Sequence, residues 1–175
     1  MKKIMLIFGV MLFVALQSNA QKRNYSNSSV GNYNTAIGVR VNPWSIGFTA
    51  KHFIAGPHAI EGIVSHQFAG YDNANVTITG LYEYHWNVFG KKEWNMFAGG
   101  GLHGGAYKTD YWDNGRRKDG DTKGVFGLDA IWGVEYTFKN IPLTLQGDLK
   151  PYVNFTGGHD YYGEQIFGAS ARFTF

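Results

Sequence analysis

The sequence contains no cysteine. That removes disulfide frameworks, thiolate nucleophiles, cysteine-ligated zinc and iron–sulfur clusters in one step, together with a cysteine-linked lipid anchor. It also lacks an apolar run long enough for a spanning helix, since the most apolar stretch covers only residues 4–16. No 3.6-residue apolar stripe is sustained through the rest of the chain. At 175 residues it is short for two ordinary domains.

What is present at the N-terminus reads as an export signal. Lys2 and Lys3 precede the apolar residues 4–16, and Ser18, Asn19 and Ala20 follow, which fits a signal peptide over residues 1–20 with cleavage before Gln21. Removing Lys2 and Lys3 with it takes the 16 basic residues to 14, against 13 acidic ones. The basic excess almost vanishes, and an exported chain of near-balanced charge gives no reason to expect the clustered positive footprint of a nucleic-acid binder, so nucleic acid is excluded as a partner. Residues 21–33, rich in Asn and Ser, read as a short flexible arm, and 34–175 as a single barrel domain.

The dominant pattern is alternation. Over 125–138, Phe126, Leu128, Ala130, Trp132, Val134, Tyr136 and Phe138 share one face, while Gly127, Asp129, Ile131, Gly133, Glu135 and Thr137 share the other. Such a period of two marks a half-buried strand. Similar runs are predicted at 34–41, 46–54, 59–68, 76–88, 94–107, 143–155 and 164–175, giving eight strands. Two local features resist. Pro151 cannot donate to a sheet ladder and calls for a bulge or an unpaired N–H position, and the strand at 59–68 turns Gly62 outward and Ile63 inward.

The alternation leaves open whether the apolar face meets a core or lipid. The strand charges are Arg40, Lys51, Lys150 and Arg172 with Glu61, Glu83, Asp129, Glu135 and Asp148, and none falls on the apolar face. Near-balance of sign suits a closed polar interior in which buried ions find partners. Connections at 69–75, 108–123 and 156–163 alternate with shorter ones at 55–58, 89–93 and 139–142, the asymmetry of a bacterial outer-membrane barrel, and only the first loop on the long side, 42–45, breaks the trend. Aromatic residues gather near the strand ends: Trp86, Trp94, Tyr136, Phe138, Phe173 and Phe175 towards one interface, and Trp44, Phe68, Tyr71, Phe126 and Phe155 towards the other. A soluble exported β-barrel binding a small ligand is the arrangement these features disfavour.

The chain ends Ala169-Ser170-Ala171-Arg172-Phe173-Thr174-Phe175. This resembles the C-terminal signal read by the barrel assembly machinery, and with the leader and eight strands the chain is similar to small barrels of the OmpA and OmpX class. The resemblance implies an all-β, eight-stranded antiparallel up-and-down transmembrane β-barrel in the outer membrane of a Gram-negative bacterium. It implies outer-membrane lipids and lipopolysaccharide as surroundings, the assembly machinery as a partner during biogenesis, a monomer, a periplasmic location for the N-terminal arm, and no cofactor.

An eight-stranded barrel is just wide enough for its own side chains. The nine strand charges, with inward Phe53, Leu81, Phe97, Ile131 and Tyr152, therefore predict a plugged interior with Gly99, Gly101 and Gly105 leaving room. Lys51 and Glu61 face one another if the intervening turn is tight. A non-enzymatic structural or surface-interaction role follows, with a lipid-A-modifying enzyme as the competing class. For the latter, Glu83, His85 and His103 share the inward side, whereas adjacent Ser65 and His66 point to opposite faces. The match of residues 99–104 to G-x-G-x-x-G falls inside a strand and carries no dinucleotide reading. The histidines have no metal-binding spacing, and Asp119-Gly-Asp121 lacks a calcium-loop pattern. The best interaction surface is the long connection carrying Tyr111, Trp112, Arg116, Arg117 and Lys118, whose cations suit lipopolysaccharide phosphates.

Overall fold

The computed structural model describes residues 30–67, 75–108, 111–113, 116–118, 121–156 and 166–175. The expected signal peptide, most of the arm, Phe68, Tyr71 and Asp119 lie outside the described residues. Every element among those described is a strand: β1 (Thr35–Val41), β2 (Ser45–Ala55), β3 (His58–Gln67), β4 (Asn75–Val88), β5 (Lys91–Lys108), β6 (Tyr111–Asp113), β7 (Arg116–Lys118), β8 (Thr122–Thr137), β9 (Leu143–Leu149), β10 (Tyr152–Thr156) and β11 (Phe167–Thr174).

Each long strand pairs antiparallel with its neighbours, and β1 pairs β11 while β8 pairs both β5 and β9, so the sheet closes on itself. β9 and β10 together form one wall strand, which makes the barrel eight-stranded. Their separation is the work of Pro151. The register nevertheless runs straight through, from Leu149 opposite Trp132 to Tyr152 opposite Asp129. Pro151 keeps its acceptor role, its carbonyl receiving the Ala130 N–H at 2.9 Å, while the missing donor interrupts regular strand geometry. The bulge itself lies further on, between Asn154 and Thr156.

The alternating sequence appears as an inverted protein. Ile78 is 62% exposed, and Phe48, Leu102, Trp132 and Leu145 are also on the outer wall, whereas Lys51, Glu83, Glu135 and Arg172 are fully enclosed. In water each such outward side chain would forgo about 1.5–3 kcal/mol of burial. Hydrocarbon removes that penalty, and a closed ladder leaves no unpaired strand edge within it. The fold is a transmembrane β-barrel.

The two ends differ. One carries the tight turns at 56–57 and 89–90 and the connection at 138–142; the other carries the connections at 42–44, 68–74, 109–121 and 157–166. Phe89 and Gly90 both have positive φ, 57° and 61°, as a two-residue primed hairpin turn requires. Around this turn end a nearly continuous aromatic collar forms: Tyr84 on Trp86 at 6.3 Å, Phe89 against Trp94 at 6.2 Å, Trp94 on Tyr136 and Tyr136 on Phe138 at 4.8 Å each. Phe173 and Phe175 add a further pair. At the other end Phe126 meets Phe155 at 6.1 Å.

Candidate functional site

All nine strand charges point into the lumen and are buried. They form two clusters. In the one nearer the turn end, Lys51 of β2 is the hub, its Nζ lying 3.2 Å from Glu61, 2.8 Å from Glu83 and 3.4 Å from Glu135. Lys51 and Glu61 are directly opposed across the β2–β3 hairpin. Arg172 of β11 reaches Glu61 through Nη2 and lies 3.6 Å from Glu135 through Nη1. Gln146 accepts from both cations, at 2.7 Å from Lys51 and 2.8 Å from Arg172. Thr49 donates to Glu61 and accepts from Arg172 Nε.

The cluster nearer the long connections is simpler. Arg40 donates to Asp148, which also accepts from Gln146 at 3.0 Å. Lys150 donates to Asp129 at 2.7 Å, and His103 Nδ1 lies 2.7 Å from the other oxygen of the same carboxylate. The far side of the His103 ring meets Asn154 Oδ1 at 2.9 Å. Each carboxylate here has its own cation.

Apolar side chains fill the space between and beyond these clusters. Ile63, Leu81, Phe97 and Ile131 pack together in the lumen, which explains the inward Ile63 that weakened the strand pattern. Lys51 Nζ sits 4.4 Å from the Phe97 ring centroid. Tyr107 and Val125 pack with partly buried Tyr152 towards the long-connection end, and Tyr33, Ala36, Phe53 and Ala59 close the turn end.

Tyr33 is the residue that alternation does not reveal. It belongs to the segment read as an arm, yet it is buried, packs edge-on against Phe53 at 5.1 Å, and donates its hydroxyl to Glu135 at 2.8 Å. Val30 and Asn32 tie the same segment to the turn end, Asn32 donating to the Lys92 carbonyl at 3.0 Å and the Val30 carbonyl accepting from Asn87 at 3.4 Å. Burial and then the neighbouring Glu135 charge raise the Tyr33 phenol well above its usual pKa, so it remains a hydrogen-bond donor.

The glycines act differently from the simple spacing expected of Gly99, Gly101 and Gly105. A Cβ at Gly99 or Gly101 would run into the carbonyl oxygen of Tyr82 or Gly80 on the adjoining strand, so these two permit close backbone approach. Room for large side chains comes from elsewhere. A Cβ at Gly133 would stand 2.4 Å from the Gly147 carbonyl oxygen and 2.6 Å from the Phe97 ring, so Gly133 serves both purposes, and one at Gly168 would overlap the Arg40 guanidinium.

Of the residues considered for acid–base chemistry, Glu83 and His85 are brought together, 2.9 Å apart, but both have no exposed surface. His103 is engaged with Asp129 rather than with them. Ser65 is buried and His66 lies on the outer face. Tyr111, Trp112, Arg116, Arg117 and Lys118 occupy a hairpin of their own, β6–β7, with Tyr111 opposite Lys118 and Trp112 opposite Arg117. The long connection thus carries a ladder where sequence alone suggested only a loop; three-residue strands are too short to display a period.

No family model and no curated protein matches the sequence. Among solved structures, the N-terminal β-barrel domain of Pseudomonas aeruginosa OprF is similar, with a TM-score of 0.62 over 81% of this chain and 96% of that one, at 12% sequence identity. The likeness is one of fold, and the eight-stranded barrel implied by the resemblance at the C-terminus is the fold found.

Proposed function

We propose that the protein is a non-enzymatic barrel of the Gram-negative outer membrane, with a structural or surface-interaction role carried by its long-connection end. The observation that carries this reading is the filled lumen: two ion clusters and three apolar groups occupy the space a solute would need. Burial of Glu83 and His85 argues against a lipid-A enzyme, whose acid–base pair must meet an acyl or phosphate group. The C-terminal Phe175, after outward Phe167, Ala169, Ala171 and Phe173, supports handling by the barrel assembly machinery, and the cations of β7 suit lipopolysaccharide phosphates.

Reconstituted protein is expected to give no large, persistent conductance in planar bilayers, to fractionate with the outer membrane with heat-modifiable gel mobility, and to leave lipid A mass unchanged. A stable pore would contradict the plugged interior. The surface role is tested separately by deleting residues 110–121, which should reduce lipopolysaccharide binding or envelope integrity while leaving the barrel folded. Unchanged values for both would remove that role.

A further inference from the structure

The turn-end cluster does not balance if every member carries its ordinary charge. Lys51 and Arg172 supply two positive charges; Glu61, Glu83 and Glu135 supply three negative ones, all in a lumen closed to water on their flanks. A net charge enclosed in this way is costly. Two oxygens of the cluster are also left over. Glu61 Oε2 and Glu83 Oε1 are buried without a hydrogen-bond partner, Glu61 Oε2 having only the Lys51 ammonium beside it at 3.2 Å, and both carboxyl groups crowd that one ammonium, Glu83 through Oε2 at 2.8 Å. Two carboxylates crowded onto one buried ammonium repel one another unless one of them holds a proton.

We propose that the turn-end cluster binds one proton, shared between the carboxyl groups of Glu61 and Glu83. One proton cancels the surplus charge and joins the two acids by an O–H···O hydrogen bond. No bond other than O–H forms, and the proton comes from solvent as the barrel closes.

His85 is the competing carrier, since its Nε2 lies 2.9 Å from Glu83 Oε2. Geometry disfavours it. An imidazolium would leave its Nδ1–H buried without an acceptor between the rings of Phe53 and Phe97, and would leave both carboxylates ionised on the one Lys51 ammonium. A neutral ring donating from Nε2 leaves only a bare lone pair. The other groups facing the pair are accounted for: Lys51 and Thr49 from β2, Glu135 from β8, Gln146 from β9, Arg172 from β11 and the Tyr33 hydroxyl, with the Phe97 ring from β5.

Infrared spectra of the refolded full chain at neutral pH test the assignment. The wild-type protein is expected to show the carbonyl stretch of a protonated carboxyl, shifted in D2O, and a neutral His85 in histidine-selective nitrogen NMR. Glu83→Gln should abolish the band without lowering the unfolding midpoint, because the amide donates where the shared proton stood. Glu61→Gln should also abolish the band, but with a lower midpoint because the Arg172 contact is lost. A wild-type spectrum without the band, an imidazolium at His85, or a band surviving in Glu83→Gln would overturn the proposal. So would a midpoint that falls when sodium is replaced by choline at constant ionic strength, which would assign the balancing charge to a metal cation. The wild-type measurements decide the matter even if neither variant refolds.

Discussion

The two ion clusters occupy one lumen but are built on different plans. At the loop end each cation has one carboxylate of its own, Arg40 with Asp148 and Lys150 with Asp129. At the turn end ownership is shared: Lys51 is bound to three glutamates, and Arg172 to two of the same three. Paired ions fail locally, because losing one cation strands one carboxylate that often has a neutral partner left. A shared hub fails collectively, since its loss strands several acids in a medium where each uncompensated charge is expensive.

The largest effect should therefore come from Lys51→Met. It is expected to cost about 3–5 kcal/mol of unfolding free energy, the range for breaking a buried ion pair from one side, measured by urea titration of the protein in bilayers. Lys150→Met should cost less, about 1–3 kcal/mol, because Asp129 keeps His103 as a partner. Equal losses for the two variants would erase the distinction between hub and pair. The double variant should be additive within about 0.5 kcal/mol if the clusters act independently; strong coupling would point to Gln146, which accepts from Lys51 and Arg172 and donates to Asp148, as the link between them.

The smallest effect tests the link between the turn-end cluster and the segment before β1. Tyr33→Phe removes one hydroxyl and should cost about 1 kcal/mol, with the ring still packed on Phe53. It also changes the alkaline limb of stability. Burial and Glu135 raise the folded-state phenol above its ordinary value of 10.0, so its contribution is complete below that value and declines as pH climbs towards the folded-state value. The decline should be absent in Tyr33→Phe, as read from unfolding midpoints across the alkaline range. An identical alkaline limb in both proteins would detach Tyr33 from the cluster.

Period two made the barrel legible because a lipid-facing wall imposes it on every strand, even where Pro151 breaks the backbone regularity. The same phase separates the nine strand charges from the apolar face. Partnership is another matter. Lys51 and Glu61 could be matched because a tight hairpin fixes their register, but the contacts of Lys51 with Glu135 and of Arg172 with Glu61 span the barrel and depend on strand stagger, which no local pattern encodes. Tyr33 escaped for a related reason: it and Tyr25 are separated aromatics among Asn and Ser, ahead of the first strand, with no repeat to join. Gly133 and Gly168 could not be told from the other glycines until Phe97 and Arg40 were in place.

The hairpin between β4 and β5 has a further consequence. Phe89 holds a left-handed backbone that glycine adopts far more easily, and 79% of its surface is uncovered. Ile141, in the connection after β8, is 47% exposed. Lys91, Lys92 and Lys139 beside them are exposed as well, a mixture that suits the level where acyl chains meet headgroups, so the bilayer boundary on that side lies at the turns themselves. The molecule is moored off-centre, flush with one leaflet and standing proud of the other.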